Sequence, residues 1–286
     1  MKGEHGIQML CELLEVSRSG YYRWETAAPT AREKEDEQLA DHIVQAHEQS
    51  RKTYGAPRIV KDLKERNVRI SKRRCARIMA QHGIRGKKKH RRRPQTTDSR
   101  HEHAPARNRL RKCAKPTGPN QAWITDITYL NTGEGWLYLA AILDVWSRKV
   151  VGWAAGPTLH VSLVLAALAR ARSNRHPPRG LLHHSDQGVQ YACKEYREAL
   201  AAAGMICSMS RRGNCYDNAA MESFWSTLKT DTGLDEATPI SRRAAELIVF
   251  DYIETFYNPK RRHSSLGYIS PVAFEKQTAK KHKKAA

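Results

Sequence analysis

Hydrophobic residues in the first part of the chain recur every three or four positions, a spacing typical of amphipathic helices. This spacing predicts helices over residues 33–49 and 72–81, and another that opens at Tyr54. Ser71 is predicted to cap the basic helix over 72–81. Three short helices that end in a basic one are typical of a helix-turn-helix DNA-binding unit. The preceding residues 7–24 suit either a small DNA-contacting unit or an ordinary helical hairpin.

Past residue 117 the pattern changes to runs of β-branched and aromatic residues separated by turn residues. Such runs predict an antiparallel meander with strands over 123–130, 136–145 and 150–155. The elements predicted after the meander are helices and strands in alternation, over 161–171, 180–186, 191–203, 205–209, 217–229 and 241–257. This order predicts an α/β, ribonuclease-H-like core with a mixed five-stranded sheet and flanking helices, after a small all-α helix-turn-helix-like domain. Other α/β sheets share parts of that order.

The charge of the chain is strongly positive and unevenly distributed. Lys and Arg number 50 against 29 Asp and Glu among 286 residues, a formal net charge of +21. The stretch 85–115 alone holds 13 basic and 2 acidic residues. Such a run is often only a solvated linker, but densely packed like charges favour a polyanion, and we expect DNA contact from Arg91, Arg92 and Arg93.

Composition divides the chain into four segments. We predict a helical DNA-binding region over 1–84, a basic linker over 85–117, a catalytic core over 118–275 and a basic tail over 276–286. There is no secretory signal and no run of 18 apolar residues, and the six cysteines form no CxxC pair, so we expect a cytoplasmic protein without a disulfide framework or structural zinc.

Three acidic residues stand where surface residues are not expected. Asp126 lies inside an apolar strand, where an unpaired carboxylate is costly. Asp186 ends a predicted strand, where α/β sheets place ligands, although a strand-end Asp is by itself more often a helix N-cap. Glu222 points away from the apolar stripe of its helix, and Asn218 and Lys229 share its face, with Asn218 also expected to cap the helix.

Two aspartates and one glutamate that converge suit two-metal phosphoryl transfer. Hard oxygen ligands hold two Mg²⁺ ions about 3.5–4 Å apart, and Mn²⁺ can substitute. One ion activates the attacking water or 3′-hydroxyl, and the other stabilises the leaving oxygen. His183 and His184, next to Asp186, leave a zinc site open as an alternative.

The sequence contexts of these acids resemble a known family. They are Trp-Ile-Thr-Asp-Ile-Thr-Tyr around Asp126, His-Ser-Asp-Gln-Gly-Val-Gln-Tyr around Asp186, and Tyr-Asp-Asn-Ala-Ala-Met-Glu-Ser-Phe-Trp around Glu222. Thirty-five residues separate Asp186 from Glu222. Together with residues 16–24, 54–59 and 256–271, these motifs resemble the second-reading-frame (OrfB) transposases of the insertion-sequence-three family, relatives of retroviral integrases with a DDE catalytic core.

The resemblance implies residue roles. Asp126, Asp186 and Glu222 would be the catalytic, metal-binding triad, and Lys229 would contact the phosphate of a transposon end. Asn218, Asn258, Arg261 and His263 match motif positions to which we assign DNA contacts. Asp144 is embedded in a strand as well, and we interpret it as structural.

The resemblance also implies partners. A DDE transposase binds transposon ends and target DNA, works as a homo-multimer in a synaptic complex, and in this family often acts as a fusion with an upstream-frame protein, OrfA. We expect it at the bacterial nucleoid. The sequence alone leaves two alternatives: a ribonuclease-H-type nuclease that hydrolyses without joining, and a non-catalytic DNA-binding regulator.

Overall fold

The computed structural model describes residues 6–88, 106–111, 113–211, 218–234 and 239–285, with side chains described as far as residue 280. The chain divides into two compact units, Met1–Arg85 and Gly86–Ala286. The finer division of the chain into four segments stays a prediction.

The first unit is helical, as the spacing of its apolar residues predicts. Its helices are α1 (Ile7–Leu13), α2 (Arg18–Thr26), α3 (Ala31–Gln49), α4 (Ala56–Glu65) and α5 (Lys72–Gln81). Ser71 caps α5 by accepting a hydrogen bond from the Arg74 amide. Ser19 and Gly20 lie inside α2, because Ser17 caps that helix and accepts a hydrogen bond from the Gly20 amide.

The basic surface of α5 is partly engaged within the unit. Arg74 Nε lies 2.7 Å from Asp36 Oδ1, and its Nη2 lies 2.8 Å from Glu35 Oε2. Arg77 Nη2 lies 2.6 Å from the other oxygen of Asp36. These ion pairs join α5 to α3, so two of the arginines of the basic helix contact carboxylates of the unit itself.

The second unit is built on a mixed five-stranded sheet in the order β3-β2-β1-β4-β5. The strands are β1 (Ala122–Thr132), β2 (Gly135–Asp144), β3 (Val150–Gly156), β4 (Leu182–Ser185) and β5 (Ile206–Met209). The first three form the antiparallel meander, and β4 and β5 continue the sheet in parallel with β1. The predicted ribonuclease-H-like arrangement is therefore confirmed.

The helices of this unit pack around the sheet. They are α6 (Val161–Arg175), α7 (Val189–Ala192), α8 (Lys194–Ala202), α9 (Ala219–Thr232), α10 (Arg242–Asp251) and α11 (Pro271–Ala285). The single helix expected over 191–203 is wrong, because the backbone is extended at Cys193, between α7 and α8. The helix expected to run to Tyr257 continues beyond α10 as a π-helical turn over Tyr252–Tyr257.

Close packing of α6 on the meander explains why this helix is rich in alanine. A side chain at Gly152 of β3 would overlap the carbonyl oxygen of Ala167 and lie 2.6 Å from Cβ of Ala171. Helix and strand therefore approach until their backbones nearly touch, and only small residues fit. This contact fixes α6 on one face of the sheet. The carboxyl end of the sheet is formed by the loops that follow its strands.

The C-terminal helix α11 is attached to the same unit by charge and by aromatic packing. Glu275 accepts two hydrogen bonds of 2.9 Å from the guanidinium of Arg175 on α6. Phe274 stacks on Trp146 with 4.7 Å between the ring centroids. Within the described residues, none of the helices is both apolar enough and long enough to cross a membrane.

Candidate active site

Asp126 lies within β1, and Asp186 directly follows the end of β4, the parallel neighbour of β1. In the pairing of β1 with β4, Ile124 stands opposite His184. Two residues further along both strands come Asp126 and Asp186, so continuing the register places them opposite each other. Adjacent strands are about 4.8 Å apart, which puts both carboxylates within reach of one cation. The pair lies at the carboxyl end of β4, where α/β sheets bind ligands.

Asp186 is held by the turn that follows β4. Its Oδ1 accepts a hydrogen bond of 2.9 Å from the Gly188 amide, and the side chain of Gln187 donates to the Ser210 carbonyl at 2.9 Å. Gly188, not Asp186, stands at the N-cap of α7. A Cβ at position 188 would lie 3.0 Å from Asp186 Oδ1, so glycine leaves the carboxylate room at this close approach.

Glu222 is brought to the same region by α9. The apolar stripe Met221, Phe224, Trp225 and Leu228 is buried as predicted, and Glu222, in the first turn of the helix, is exposed. Trp225, one turn after Glu222, donates its indole N–H to Asp126 Oδ2 at 3.0 Å. This hydrogen bond connects α9 directly to β1 and thus sets where Glu222 stands relative to Asp126.

The three carboxylates influence one another electrostatically. Burial is the largest cause that raises the pKa of Asp126, to about 8, and the charges of Asp186 and Glu222 raise it further. The hydrogen bond from Trp225 opposes this rise in pKa. Several negative charges close together are unfavourable, and a positive charge between them relieves this repulsion. The site therefore has the electrostatic character of a cation site.

The three carboxylates do not form a closed metal-binding cluster among the described residues. Among the described residues, no group of three or more His, Cys, Asp or Glu side chains is close enough to hold a metal ion. Asp126 and Asp186 are adjacent, whereas Glu222 acts on Asp126 through its charge. Residues 212–217, which precede α9, lie outside the described part of the chain.

The two histidines of β4 have structural contacts. His183 Nε2 lies 2.6 Å from the Tyr196 hydroxyl, and burial lowers the pKa of His183 to about 3. His184 Nδ1 lies 2.9 Å from Ser208 Oγ. Both rings are buried in the sheet among protein hydroxyls. These contacts do not support the zinc alternative.

Asp144 is fully buried at the end of β2 and organises the turn that follows. Its Oδ1 accepts hydrogen bonds from the amides of Trp146 and Ser147, at 3.0 and 2.9 Å, and its Oδ2 accepts one from the Asn120 amide at 2.7 Å. An aspartate that satisfies three backbone donors stabilises a turn, which agrees with the structural interpretation of this residue.

Two of the residues for which we predicted DNA contacts are buried in the structure. Asn258 donates to the Val150 carbonyl at 3.0 Å and accepts from the Val150 amide at 2.9 Å, so its side chain pairs with the backbone of edge strand β3. Arg261, with its side chain 4% exposed, forms a 2.5 Å ion pair with Asp231 of α9. Both side chains hold the loop after the π-helical turn against the core, which does not favour the DNA contacts assigned to them; those contacts stay predictions.

The remaining residues for which we predicted DNA contacts lie in different parts of the chain. Asn218 stands at the N-cap of α9 but makes no capping hydrogen bond, and its Oδ1 has no partner among the described residues, contrary to the expected cap. Lys229 is half-buried on α9, two turns after Glu222. His263 packs edge-on against Tyr257, with 4.8 Å between the ring centroids. Arg91, Arg92 and Arg93 lie outside the described residues.

Sequence reasoning missed two contacts at this site. Trp225 was recognised as a core residue but not as the hydrogen-bond donor to Asp126. Its spacing of three residues from Glu222 places the two side chains next to each other on the helix, and this was the signal available in the sequence. Asp231 was not recognised as the partner of Arg261, and no sequence pattern indicates that pair.

Known families match both units of the chain. Residues 116–215 and 203–271 match integrase core domains, and residues 34–93 match an HTH-like domain. The fold and the carboxylates thus belong to a core of the integrase class.

Similar proteins extend over nearly the whole chain. The insertion element IS600 31 kDa protein of Shigella sonnei is 44% identical, covering 94% of this chain and 98% of that protein. Transposase InsF for insertion sequence IS3A of Escherichia coli (strain K12) is 37% identical, covering 96% and 95%. An integrase structure from a simian T-cell lymphotropic virus intasome aligns at 16% identity, with a TM-score of 0.48 and coverage of 72% and 67%. The chain belongs to the IS3 family of insertion-sequence transposases.

Proposed function

We propose that the protein cleaves and joins DNA at the ends of its own insertion sequence, with Asp126, Asp186 and Glu222 as its catalytic carboxylates. The observation that supports these residues most strongly is the parallel pairing of β1 with β4, which brings Asp126 near Asp186, together with the mutual charge effect that includes Glu222. Asp186 stands at the carboxyl end of β4, where α/β sheets bind ligands, and Asp126 lies within the neighbouring strand β1.

We further propose that Mg²⁺ is the cofactor, held first by Asp126 and Asp186 and completed by Glu222, with two ions in the working site and Mn²⁺ as a substitute. The residues fit this group because an all-carboxylate donor set suits a hard cation. Burial first, and the charges of Asp186 and Glu222 second, raise the pKa of Asp126, and a bound cation would stabilise its ionised form. When bound, such ions polarise the scissile phosphate and lower the pKa of the attacking hydroxyl.

The residues of the chain prepare this site in three ways. Trp225 fixes the orientation of the Asp126 carboxylate by its hydrogen bond. The Gly188 amide does the same for Asp186. Glu222 stands in the first turn of α9, where the helix dipole stabilises a negative side chain. These contacts hold the carboxylates of Asp126 and Asp186 in fixed orientations.

The function is tested by strand transfer on a labelled oligonucleotide that carries the terminal repeat of the host element, with Mg²⁺ or Mn²⁺. We expect joined product from the wild type and from Glu198→Gln, a control at an exposed glutamate of α8, and none from Glu222→Gln. The assay is run with and without the upstream-frame protein. Joining by Glu222→Gln at the wild-type rate would contradict the proposed role of this residue.

The same assay separates joining from simple hydrolysis. A ribonuclease-H-type nuclease would give cut strands without joined product, and a regulator would give neither. The family membership of the chain along nearly its full length favours the transposase over both.

Replacing Trp225 with phenylalanine is expected to reduce strand transfer about 10–100-fold, the usual effect of losing a residue that orients a metal ligand. The indole N–H that lowers the pKa of Asp126 is lost, while the aromatic packing is largely kept. We expect more Mg²⁺ to be needed for half-maximal activity. Trp136→Phe, at a half-exposed tryptophan of β2, is the control; an unchanged Mg²⁺ requirement in Trp225→Phe would contradict the positioning role.

The partners follow from the same function. The HTH-like domain implies DNA binding. We propose that the working form is a multimer on paired transposon ends, that the upstream-frame OrfA protein assists end recognition, and that the protein is located at the nucleoid. Sedimentation of the protein with and without a pair of end duplexes tests the multimer.

A further inference from the structure

The end of the basic linker is a fixed part of the second unit, although the sequence predicts a solvated stretch there. The Ala106 amide donates to Met209 Sδ at 3.4 Å, and the Arg109 amide donates to Ser208 Oγ at 2.9 Å. The next amide donates to the same hydroxyl at 3.4 Å. Both acceptors belong to β5, which forms the edge of the sheet. Backbone hydrogen bonds therefore attach this segment to the edge strand.

The anchoring hydroxyl is itself tied to the strand that ends in a catalytic aspartate. Ser208 Oγ lies 2.9 Å from His184 Nδ1, and both residues are fully buried. His184 is two residues before Asp186. A chain of contacts thus runs from the linker through Ser208 to β4, so the segment has a defined position relative to the active site.

The attached segment presents its arginines outward. Arg107, Arg109 and Arg111 are exposed, whereas the residues between them are partly buried. We call these three residues the arginine patch. Arg197 of α8 lies in the same area: burial raises the pKa of the Cys207 thiol on β5, and the charges of Arg197 and Arg109 oppose that rise. The arginine patch and Arg197 therefore stand along the edge of the sheet at β5.

The arginine patch begins at the active-site end of the sheet. Met209, which contacts the amide of Ala106, pairs with Ser185, the residue before Asp186. From there the segment follows β5 back to Ser208. A polyanion that lies on the patch would therefore reach the carboxylates at one end.

We propose that the arginine patch binds the phosphate backbone of the DNA on its way to Asp126 and Asp186, an inference that rests on the proposed function. Arginine suits this role because its guanidinium stays charged and matches phosphate oxygens with two hydrogen bonds. The fixed backbone lowers the cost of ordering these side chains when DNA binds. The patch reads no bases, so its contribution should be independent of DNA sequence.

The test compares full-length wild type with a variant in which Arg107, Arg109 and Arg111 are all changed to glutamine. A second variant, Arg172→Gln with Arg179→Gln and Arg243→Gln, removes the same charge from other exposed positions of the unit. Affinity for a labelled DNA duplex of arbitrary sequence is measured over a series of salt concentrations. Each phosphate contact contributes about 0.9 to the slope of log K against log salt, so we expect the patch variant to lose about 2–3 from that slope.

Equal slopes for the two variants would overturn the proposal. If the wild type joins DNA but the two variants have equal slopes, the transposase function stands and only the role of the arginine patch is refuted. As a second readout, Ser208→Ala should lose hydrogen-exchange protection at the amides of Arg109 and Leu110 and weaken DNA binding in the same direction as the patch variant. Unchanged protection would show that the segment is not held as described.

Discussion

Asp126→Asn is expected to abolish DNA joining and, at the same time, to raise the free energy of unfolding of the metal-free protein. Loss of a metal-binding carboxylate removes several kcal/mol of transition-state stabilisation, a loss in rate of about a thousandfold or more. Without metal, however, the charge of Asp126 is unfavourable, first because the group is buried and second because Asp186 and Glu222 are negative, and both causes raise its pKa. Because the side chain is partly exposed, we expect a gain of about 1–3 kcal/mol at neutral pH.

The gain in stability should depend on pH in a defined direction. The folded-state pKa of Asp126 lies above its unfolded value, so the folded protein binds the proton more tightly. Its contribution to stability is fully present below about pH 4 and is lost as the pH rises toward about 8. The advantage of Asp126→Asn over the wild type should therefore grow across this range.

Urea denaturation in the presence of a chelator measures this difference, and added Mg²⁺ should stabilise the wild type but not Asp126→Asn. Glu198→Gln, which removes one exposed negative charge from the same unit, should change stability by less than about 0.5 kcal/mol. A variant Asp126→Asn that is less stable than the wild type at every pH would refute the view that the carboxylates repel one another in the metal-free site.

Arg261→Met is expected to lower the free energy of unfolding by about 3–5 kcal/mol, because it leaves the buried carboxylate of Asp231 without its cation. The side chains of both residues are nearly inaccessible to solvent, at 4% and 5% exposure. The Tyr252 hydroxyl also donates to Asp231 at 2.8 Å, which cannot replace the lost charge. Denaturation in urea measures the loss, with Lys260→Met, at the exposed neighbouring residue, as control.

The double variant Arg261→Met with Asp231→Leu should recover much of this stability, because no unpaired charge then remains in the core. DNA affinity of the folded protein is the second readout, and we expect it to be unchanged in both variants. If Arg261→Met were as stable as the wild type but bound DNA poorly, the result would instead support the DNA contact that the motif predicts for Arg261.

Much of the fold follows from patterns within short segments of the chain. The helical spacing predicted α3 and α5 to within about two residues, and the three runs rich in β-branched residues predicted the meander. Asp126 was identified as a candidate site residue because a charge inside an apolar strand is costly wherever that strand packs. Such features depend on neighbours in sequence, and these are fixed before the chain folds.

Polar residues in loops could not be placed in the same way. The sequence Asn258-Pro259-Lys260-Arg261 is basic and follows a helix, which favours solvent exposure, yet Asn258 pairs with Val150 and Arg261 with Asp231. The direction of a loop side chain depends on partners 108 and 30 residues away. The position of the linker end likewise depends on a distant residue, since its anchor is Ser208.

The sequence by itself therefore determined the order of elements, the three acidic residues in their motifs and the family resemblance. Only the tertiary structure decided which of the basic and polar residues are buried, how Trp225 connects Glu222 to Asp126, and where the end of the linker is attached. The physical reason is that hydrophobic periodicity is a local property of the chain, whereas hydrogen bonds and ion pairs of buried polar groups are formed across the fold by residues that no local pattern relates.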